Sequence, residues 1–316
     1  MRAAETPSIE IAAFCSVDPM PELPEVEHLR RSLEPTLLRM CLGAVTIRRA
    51  SVITLADEIV TRKASLLQRA LLSESRIRAT HRHGKQLAFE SQDGRVLVVQ
   101  LGMTGSVTFE QGPVPRGVLG RHRHVTWQLE DGSRMVFRDP RRFGGLTAYG
   151  SLAALRAAWS RLGPDALTIA PNRLFERVHS TARPIKTALL DQAVLAGVGN
   201  IYADESLFSA RIHPCRPASS LTEAEVVSLA RAIRLALRRA VTRGGSTLRD
   251  YRDALGRAGT ASQDHAVYGR KGMPCKRCGG LLEGAQFHGR ATVWCACCQD
   301  LSTSTARTRA RPKSAT

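Results

Sequence analysis

With 316 residues, 46 of them lysine or arginine against 28 acidic, the chain carries a formal charge of +18, a balance that draws a protein to polyanions and makes the attraction salt-sensitive. A membrane-spanning helix is excluded, because no apolar run reaches the roughly 18 residues it needs; Ile9–Phe14 is short and interrupted by Glu10. A disulfide-stapled secreted scaffold is excluded too: the chain is too long to need staples, and Arg2 against Glu5, Glu10 and Asp18 is not the basic head of a signal peptide.

Residues 1–19 are expected to be an extension outside the folded protein, or the product of an upstream start. Met20 can itself be a start, and initiator methionine is normally removed before a small residue, which would leave Pro21 with a free secondary amine beside the Glu22 carboxylate. An α-amino group titrates near 7.7–8, against about 10.4 for lysine, so such an amine is a ready nucleophile for a sugar carbon and can form an iminium. Read alone, the run favours a plainer alternative, in which Pro21 and Pro24 are prolines of a first helical turn.

Val26, Leu29 and Leu33 give a helix from Pro24 to Glu34, ended by Pro35. Strands follow at Ala44–Arg48, Arg76–His81, Gln86–Glu90, Arg95–Leu101 and Ser106–Glu110, then a hairpin from His124 to Leu129 that turns at Asp131-Gly132 and returns through Met135 to Arg138. Many short strands with glycine-rich turns indicate a β-sandwich over residues 20–152, within an α+β multidomain chain.

Residues 153–265 read as helical, with segments at Ser151–Arg161 and Pro184–Leu195. A capping box of Thr222 and Glu225 opens a long helix that buries Val226, Leu229, Ile233, Leu237 and Val241. Arg231, Arg234, Arg238 and Arg239 on it are expected to form a solvated face. In Gly197-Val198-Gly199-Asn200 two glycines allow close backbone approach, and a helix beginning near Ile201 would aim free amides at an anion; a plain tight turn is the alternative.

Cys275 and Cys278 are separated by sixteen residues from Cys295 and Cys298, two C-x2-C knuckles at the spacing of a four-thiolate zinc ribbon over 266–300, holding one structural Zn2+. Cys297 competes with Cys298 as ligand, although only Cys298 completes the second knuckle. Cys15, Cys41 and Cys215 have no metal-like neighbours. Residues 301–316 form a Ser/Thr/Arg-rich basic tail, expected to be disordered.

Met20 to Glu27, Arg82-His83-Gly84-Lys85, Leu101 to Gly105, Asp139-Pro140-Arg141-Arg142-Phe143-Gly144, Gly197 to Ala203 and the cysteine knuckles stand in the order of formamidopyrimidine-DNA glycosylases, and the chain resembles that family from Met20 to about Gln299. Leu23 sets it apart from the related endonuclease VIII group, in which glycine fills that place. The resemblance implies a bifunctional base-excision repair enzyme, monomeric, cytoplasmic and associated with the bacterial nucleoid, acting on damaged double-stranded DNA. It implies Pro21 as nucleophile, Glu22 as general acid, Lys85 as a cation at the lesion phosphate and Arg290 as a second phosphate-binding cation. Met103, Arg141 and Phe143 would fill the space left by an everted nucleotide, and His122 and Asn200 would contact DNA backbone. For Met103 and Phe143 a place in the core is the competing reading.

The chain departs from the family's pattern at Gln100, where histidine is usual, at the DNA-facing position Thr181, where a basic residue is usual, and at Thr260-Ala261 in the loop Gly256–His265 that matches the family's lesion-covering loop. These changes bear on the choice of lesion. An endonuclease VIII-like enzyme for oxidised pyrimidines and a non-catalytic zinc-ribbon DNA-binding protein are the alternatives.

Overall fold

The computed structural model describes residues 20–56, 63–113, 121–246, 251–287 and 289–301. The extension 1–19 and all but the first residue of the expected tail lie outside the described residues.

Helix α1 (Leu23–Leu37) is followed by β1 (Cys41–Ile47), β2 (Ile53–Leu55), α2 (Ala64–Ala70) and β3 (Ser75–His83). Strands β4 (Gln86–Ser91), β5 (Val96–Gln100), β6 (Ser106–Glu110), β7 (Arg123–Leu129), β8 (Arg134–Arg138) and β9 (Gly145–Tyr149) complete the N-terminal half. The helices of the second half are α3 (Leu152–Trp159), α4 (Pro171–His179), α5 (Ile185–Leu190), α6 (Asn200–Ala210) and α7 (Glu223–Thr242); the hairpin of β10 (Glu283–Phe287) and β11 (Arg290–Trp294) follows.

The nine N-terminal strands run in the order β2-β9-β5-β4-β3-β1-β7-β8-β6. Two blocks meet at β1 and β3, which share only the pairs Cys41–Arg76 and Leu42–Ser75. The blocks face each other across one apolar layer that includes Phe89, Leu97, Trp127 and Phe137, and α1 closes it with Val26, Leu29, Leu33 and Leu37. This is the expected sandwich. Leu23, at the first turn of the same helix, packs instead into the core of the helical half with Leu195, Val198, Ile201 and Tyr202, so α1 belongs to both halves.

Pro35 does not end α1. It sits on the solvent side while the helix continues so that Leu37 can be buried below Leu33. Proline costs one hydrogen bond to Arg31, and burial of Leu37 outweighs it at a helix end. The expected Pro184–Leu195 helix stops at Leu190, because Asp191 turns the chain: its Oδ1 accepts from Ala193 N and its carbonyl from Val194 N and Leu195 N. Helix α4, missed in the sequence, carries a proline at its start and buries only Leu174 and Val178. Strands β2 and β9, also missed, pair in parallel at the edge of the sheet. The Thr222 capping box is present as expected, but Arg234 leaves the solvated face and donates to the Ile169 carbonyl ahead of α4.

Leu33 is fully buried in the layer that α1 closes. Leu33→Ala is therefore expected to cost about 2–5 kcal/mol, read as a lower midpoint in urea with an unchanged slope.

Candidate active site and metal centre

The site begins with a buried carboxylate. Glu22, only 2% exposed, accepts hydrogen bonds from the amides of Gly199 (2.7 Å), Ile201 (2.8 Å) and Tyr202 (3.4 Å), the free donors at the start of α6. A helix N-terminus is the natural seat for an anion. The glycines before α6 are there for space: a Cβ on Gly199 would lie 2.4 Å from Glu22 Cδ, and one on Gly197, whose φ is +112°, 2.4 Å from Leu23 Cδ1. Burial pushes the Glu22 carboxyl up to about 7, although Lys85 and the amides pull the other way.

A second buried carboxylate stands beside it. Glu25 accepts from Glu22 N (2.8 Å), Ser246 N (2.6 Å) and Tyr202 Oη (3.0 Å). Tyr202 Oη in turn meets Ser246 Oγ at 3.1 Å, which meets His265 Nε2 at 3.0 Å. Burial also raises Glu25. Sequence reasoning missed Glu25, Tyr202, Ser246 and His265 as a group; only the acid at the third residue after Glu22, the position of a capping-box partner, signalled any of them.

Lys85 stands in the β3–β4 turn after Gly84, whose φ is +55°. Arg82 clamps that turn to the helical half with a two-pronged contact to Asp165 (2.6 and 3.0 Å), and Gly84 N donates to the same carboxylate at 2.8 Å. Burial lowers the Lys85 ammonium, Glu22 and Glu25 raise it, and Arg290 lowers it further. Lys85 is therefore the link in the electrostatics of the site, feeling Glu22 and Glu25 from the start of the chain's first helix and Arg290 from the C-terminal hairpin. Pro21 is buried next to Glu22; its nitrogen is here a peptide amide following Met20.

The sulfurs of Cys275, Cys278, Cys295 and Cys298 lie within 4.8 Å of one another, with Cys278 and Cys295 at 3.5 Å. Four thiolates around one tetrahedral ion, with bonds of about 2.3 Å, stand roughly 3.8 Å apart, so the set fits a metal ion. Cys297 is exposed and stands outside the group of four. Arg290 opens β11, the second strand of the hairpin between the knuckles, and is exposed.

Phe143 is 61% exposed, so it is not a core residue, and the Arg141 guanidinium lies over its ring at 5.0 Å. The loop is held from beneath by Asp139, fully buried, which accepts from Thr104 Oγ1 (2.6 Å) and Gly144 N (2.7 Å). Met103, in the neighbouring turn, is half-buried. His122 does not share a strand face with His124: it precedes β7, is exposed and has φ +59°, whereas His124 is buried and bonded to the Asp139 carbonyl at 2.8 Å. Arg48, Arg49, Arg121, His122 and Arg142 line a basic hollow of about 530 Å³ beside this loop; it is an electrostatic surface distinct from the Glu22 cluster. Asn200 donates to the Ala291 carbonyl at 2.9 Å, and Thr181 Oγ1 is engaged by Arg183. Gln100 and Thr260 are exposed and Ala261 is buried.

Three family models match the chain: the formamidopyrimidine-DNA glycosylase N-terminal domain over residues 20–146, the H2TH domain of the same glycosylases over 162–252, and a zinc finger found in FPG and IleRS over 272–301. The formamidopyrimidine-DNA glycosylase of Laribacter hongkongensis is 40% identical over 282 residues, covering 89% of this chain and all of that protein. The crystal structure of the MutM (Fpg) protein of Thermus thermophilus superposes with a TM-score of 0.75 at 42% identity, over 88% of this chain and 98% of that one. A Lactococcus lactis Fpg in complex with DNA containing an abasic site superposes with a TM-score of 0.78 at 30% identity, over 89% and 100%.

The charge state of Glu22 depends on what Pro21 is. With Pro21 acylated, the carboxyl titrates at about 7, against 4.5 for an isolated glutamate; a free Pro21 ammonium would place a cation beside it and lower that value. Because the folded value is the higher one, the folded chain holds the extra proton, and the contribution to stability is complete below about 4.5 and lost as pH rises through about 7. Carboxyl carbon NMR should give a Glu22 midpoint near 7 in the 316-residue form and a lower one in a form beginning at Pro21. Identical midpoints would contradict the proposed proximity of amine and carboxylate.

Proposed function

The chain belongs to the formamidopyrimidine-DNA glycosylase family, and on that premise we infer that it is a base-excision repair enzyme that removes oxidised purines from DNA and cuts the strand at the abasic site. The observation that carries the assignment of roles is the buried Glu22 carboxylate, fixed on the amides of α6 beside Pro21 and within electrostatic reach of Lys85, which in turn feels Arg290.

Pro21, freed by removal of Met20, attacks C1′ of the damaged nucleotide; the C1′–N bond breaks and its electron pair leaves with the base. Glu22, whose carboxyl burial raises, gives its proton to the ring oxygen as the C1′–O4′ bond opens, and the amine loses a proton to become an iminium. Loss of a C2′ proton then expels the 3′ phosphate by breaking C3′–O3′, and loss of the C4′ proton expels the 5′ phosphate by breaking C5′–O5′. Lys85 and Arg290 hold those phosphates as charge develops on them, arginine with its two-pronged geometry. Met103, Arg141 and Phe143 fill the vacated stack, with Arg141 hydrogen-bonding the orphaned base; His122, Asn200 and Thr181 stand along the DNA backbone.

The ion in the four-thiolate centre is Zn2+, closed to further ligands and structural. The protein acts as a monomer in the bacterial cytoplasm, where the chromosome is; among the described residues no helix is long and apolar enough to cross a membrane. The family's N-terminal model begins at residue 20, and the Laribacter hongkongensis relative is covered from end to end by 89% of this chain, which supports Met20 as the functional start.

Borohydride reduction of an iminium freezes it as a stable amine, so the start site and the nucleophile can be read on one gel. The 316-residue form, whose Pro21 nitrogen is delocalised into the Met20 carbonyl, should not be trapped on abasic DNA; the form beginning at Pro21 should be, with mass spectrometry confirming each N-terminus. Equal trapping by both would pass the role to another amine, Lys85 first.

Chelation of the metal should abolish cleavage, since Arg290 lies on the hairpin between the knuckles. Loss of metal in Cys297→Ser with retention in Cys298→Ser would reverse the ligand assignment. Arg141→Ala should reduce discrimination for the base opposite the lesion more than affinity for undamaged duplex; an unaltered profile would remove Arg141 from the wedge.

A further inference from the structure

Strand β11 is tied to the helical half by buried polar contacts that begin one residue after Arg290. The Ala291 carbonyl accepts from Lys186 Nζ and from Asn200 Nδ2, both at 2.9 Å. Thr292 Oγ1 lies 2.8 Å from the same Nζ. Val293 N donates to Asp204 Oδ2 at 3.1 Å, and Lys186 Nζ stands 2.7 Å from Asp204 Oδ1. Lys186 and Asp204 are 4% and 2% exposed. They come from α5 and α6, the second being the helix whose first amides bind Glu22.

The Lys186 ammonium gives two of its three donors to Ala291 and Thr292, and its charge is paired with Asp204 Oδ1 at 2.7 Å. Lys186 is thus buried beneath β11, with its charge matched by Asp204. Desolvation makes a buried ion pair a poor source of stability compared with apolar side chains of the same volume, so the pair is better explained by geometry than by stability. What it fixes is the start of β11, and with it the root of the Arg290 side chain relative to the amides that hold Glu22.

We propose that Lys186 and Asp204 are a buried positioning pair that sets Arg290 against the Glu22–Lys85 cluster, linking the metal hairpin to the reacting end of α6. The proposal rests on the phosphate-holding role given to Arg290 above. It assigns Lys186 no contact with DNA. Its effect belongs to the cut that depends on Arg290 and not to formation of the iminium at Pro21.

The test is a cycle of variants in the form beginning at Pro21 and ending at Thr316, or in the 316-residue form if trapping selects that one. Lys186→Met with Asp204→Asn, Arg290→Ala, and the three changes together are assayed on a duplex with a preformed abasic site, timing the two strand cuts separately. Metal content and borohydride trapping are read in parallel. The pair variant is expected to keep its metal, to be trapped within about twofold of wild type, and to slow the second cut at least about tenfold, since an ångström of displacement can cost up to about a hundredfold. Arg290→Ala should show the same loss, and the combined variant no more than either, because groups acting through one interaction are not additive.

Multiplying losses in the combined variant, or an unaffected second cut in the pair variant, would overturn the proposal. So would trapping that falls in step with the second cut while the metal is retained. Should the pair variant lose its metal, Lys186→Gln, which keeps two donors, decides by the same criteria. A wild-type protein that is neither trapped nor cuts would sink the reading of the site together with this inference; a wild type that does both while the losses multiply sinks this inference alone.

Discussion

The structure turns on one buried carboxylate accepting the first amides of one helix. Glu22 leaves the sandwich half and binds Gly199, Ile201 and Tyr202 in the helical half, and Leu23 follows it into that half's core. The backbone is committed there as well, through Leu23 N to the Gly197 carbonyl at 3.1 Å. Such a contact tolerates no spacer, which is why two glycines precede α6 and why a β-carbon at either would collide with Glu22 or Leu23. The halves are joined at the residues proposed above to react, so the seam between them and the proposed active site are the same place.

The two outcomes for carboxylates on α1 show how environment decides charge. Glu27 is nearly as buried as Glu22, but Arg30, Arg31 and Arg82 donate to it, and it is held down at about 2. Glu22 receives only backbone amides and distant cations, and burial carries it to about 7. A fixed anion and a carboxyl raised towards neutrality thus sit five residues apart at the start of the chain's first helix, the first serving the clamp made by Arg82. A guanidinium at Glu22 would give a firmer seam and a poorer acid.

Much of this was legible in the sequence, and the part that was not has a common physical cause. The knuckles of Cys275–Cys278 and Cys295–Cys298, the Thr222 cap, the strands around Gln86–Glu90 and the Pro21–Glu22 pair depend on neighbours in the chain, and local spacing records them. Pro35 was misread because its penalty is local while the burial of Leu37 that outweighs it is tertiary. Phe143 and Met103 could be core or surface by composition; the fold leaves Phe143 exposed in the loop that Asp139 fixes from below, and Met103 half-buried. Lys186 and Asp204 gave no signal, since an isolated lysine and an acid eighteen positions later mean nothing until α5 and α6 lie together under β11. Glu25 was hidden in plain view within an acidic run, because its partners, Tyr202 and Ser246, lie far along the chain.

Helix α6 then serves as a beam with three loads. Its first amides take Glu22, Asp204 one turn on takes the amide of Val293, and Phe208 near its end packs with Val267, Cys275 and Leu282 in the core of the metal hairpin. Glu205 completes the attachment by accepting the amides of Ala266, Val267 and Tyr268. At 1.5 Å per residue these loads are separated by fixed distances that a rigid helix maintains. Arg290, exposed at the start of a hairpin set between the two cysteine knuckles, can therefore hold a defined place relative to an acid from the opposite end of the chain. A loop in place of α6 could satisfy each contact separately, but it would let Arg290 and Glu22 drift apart, and the reaction proposed above needs both fixed at once.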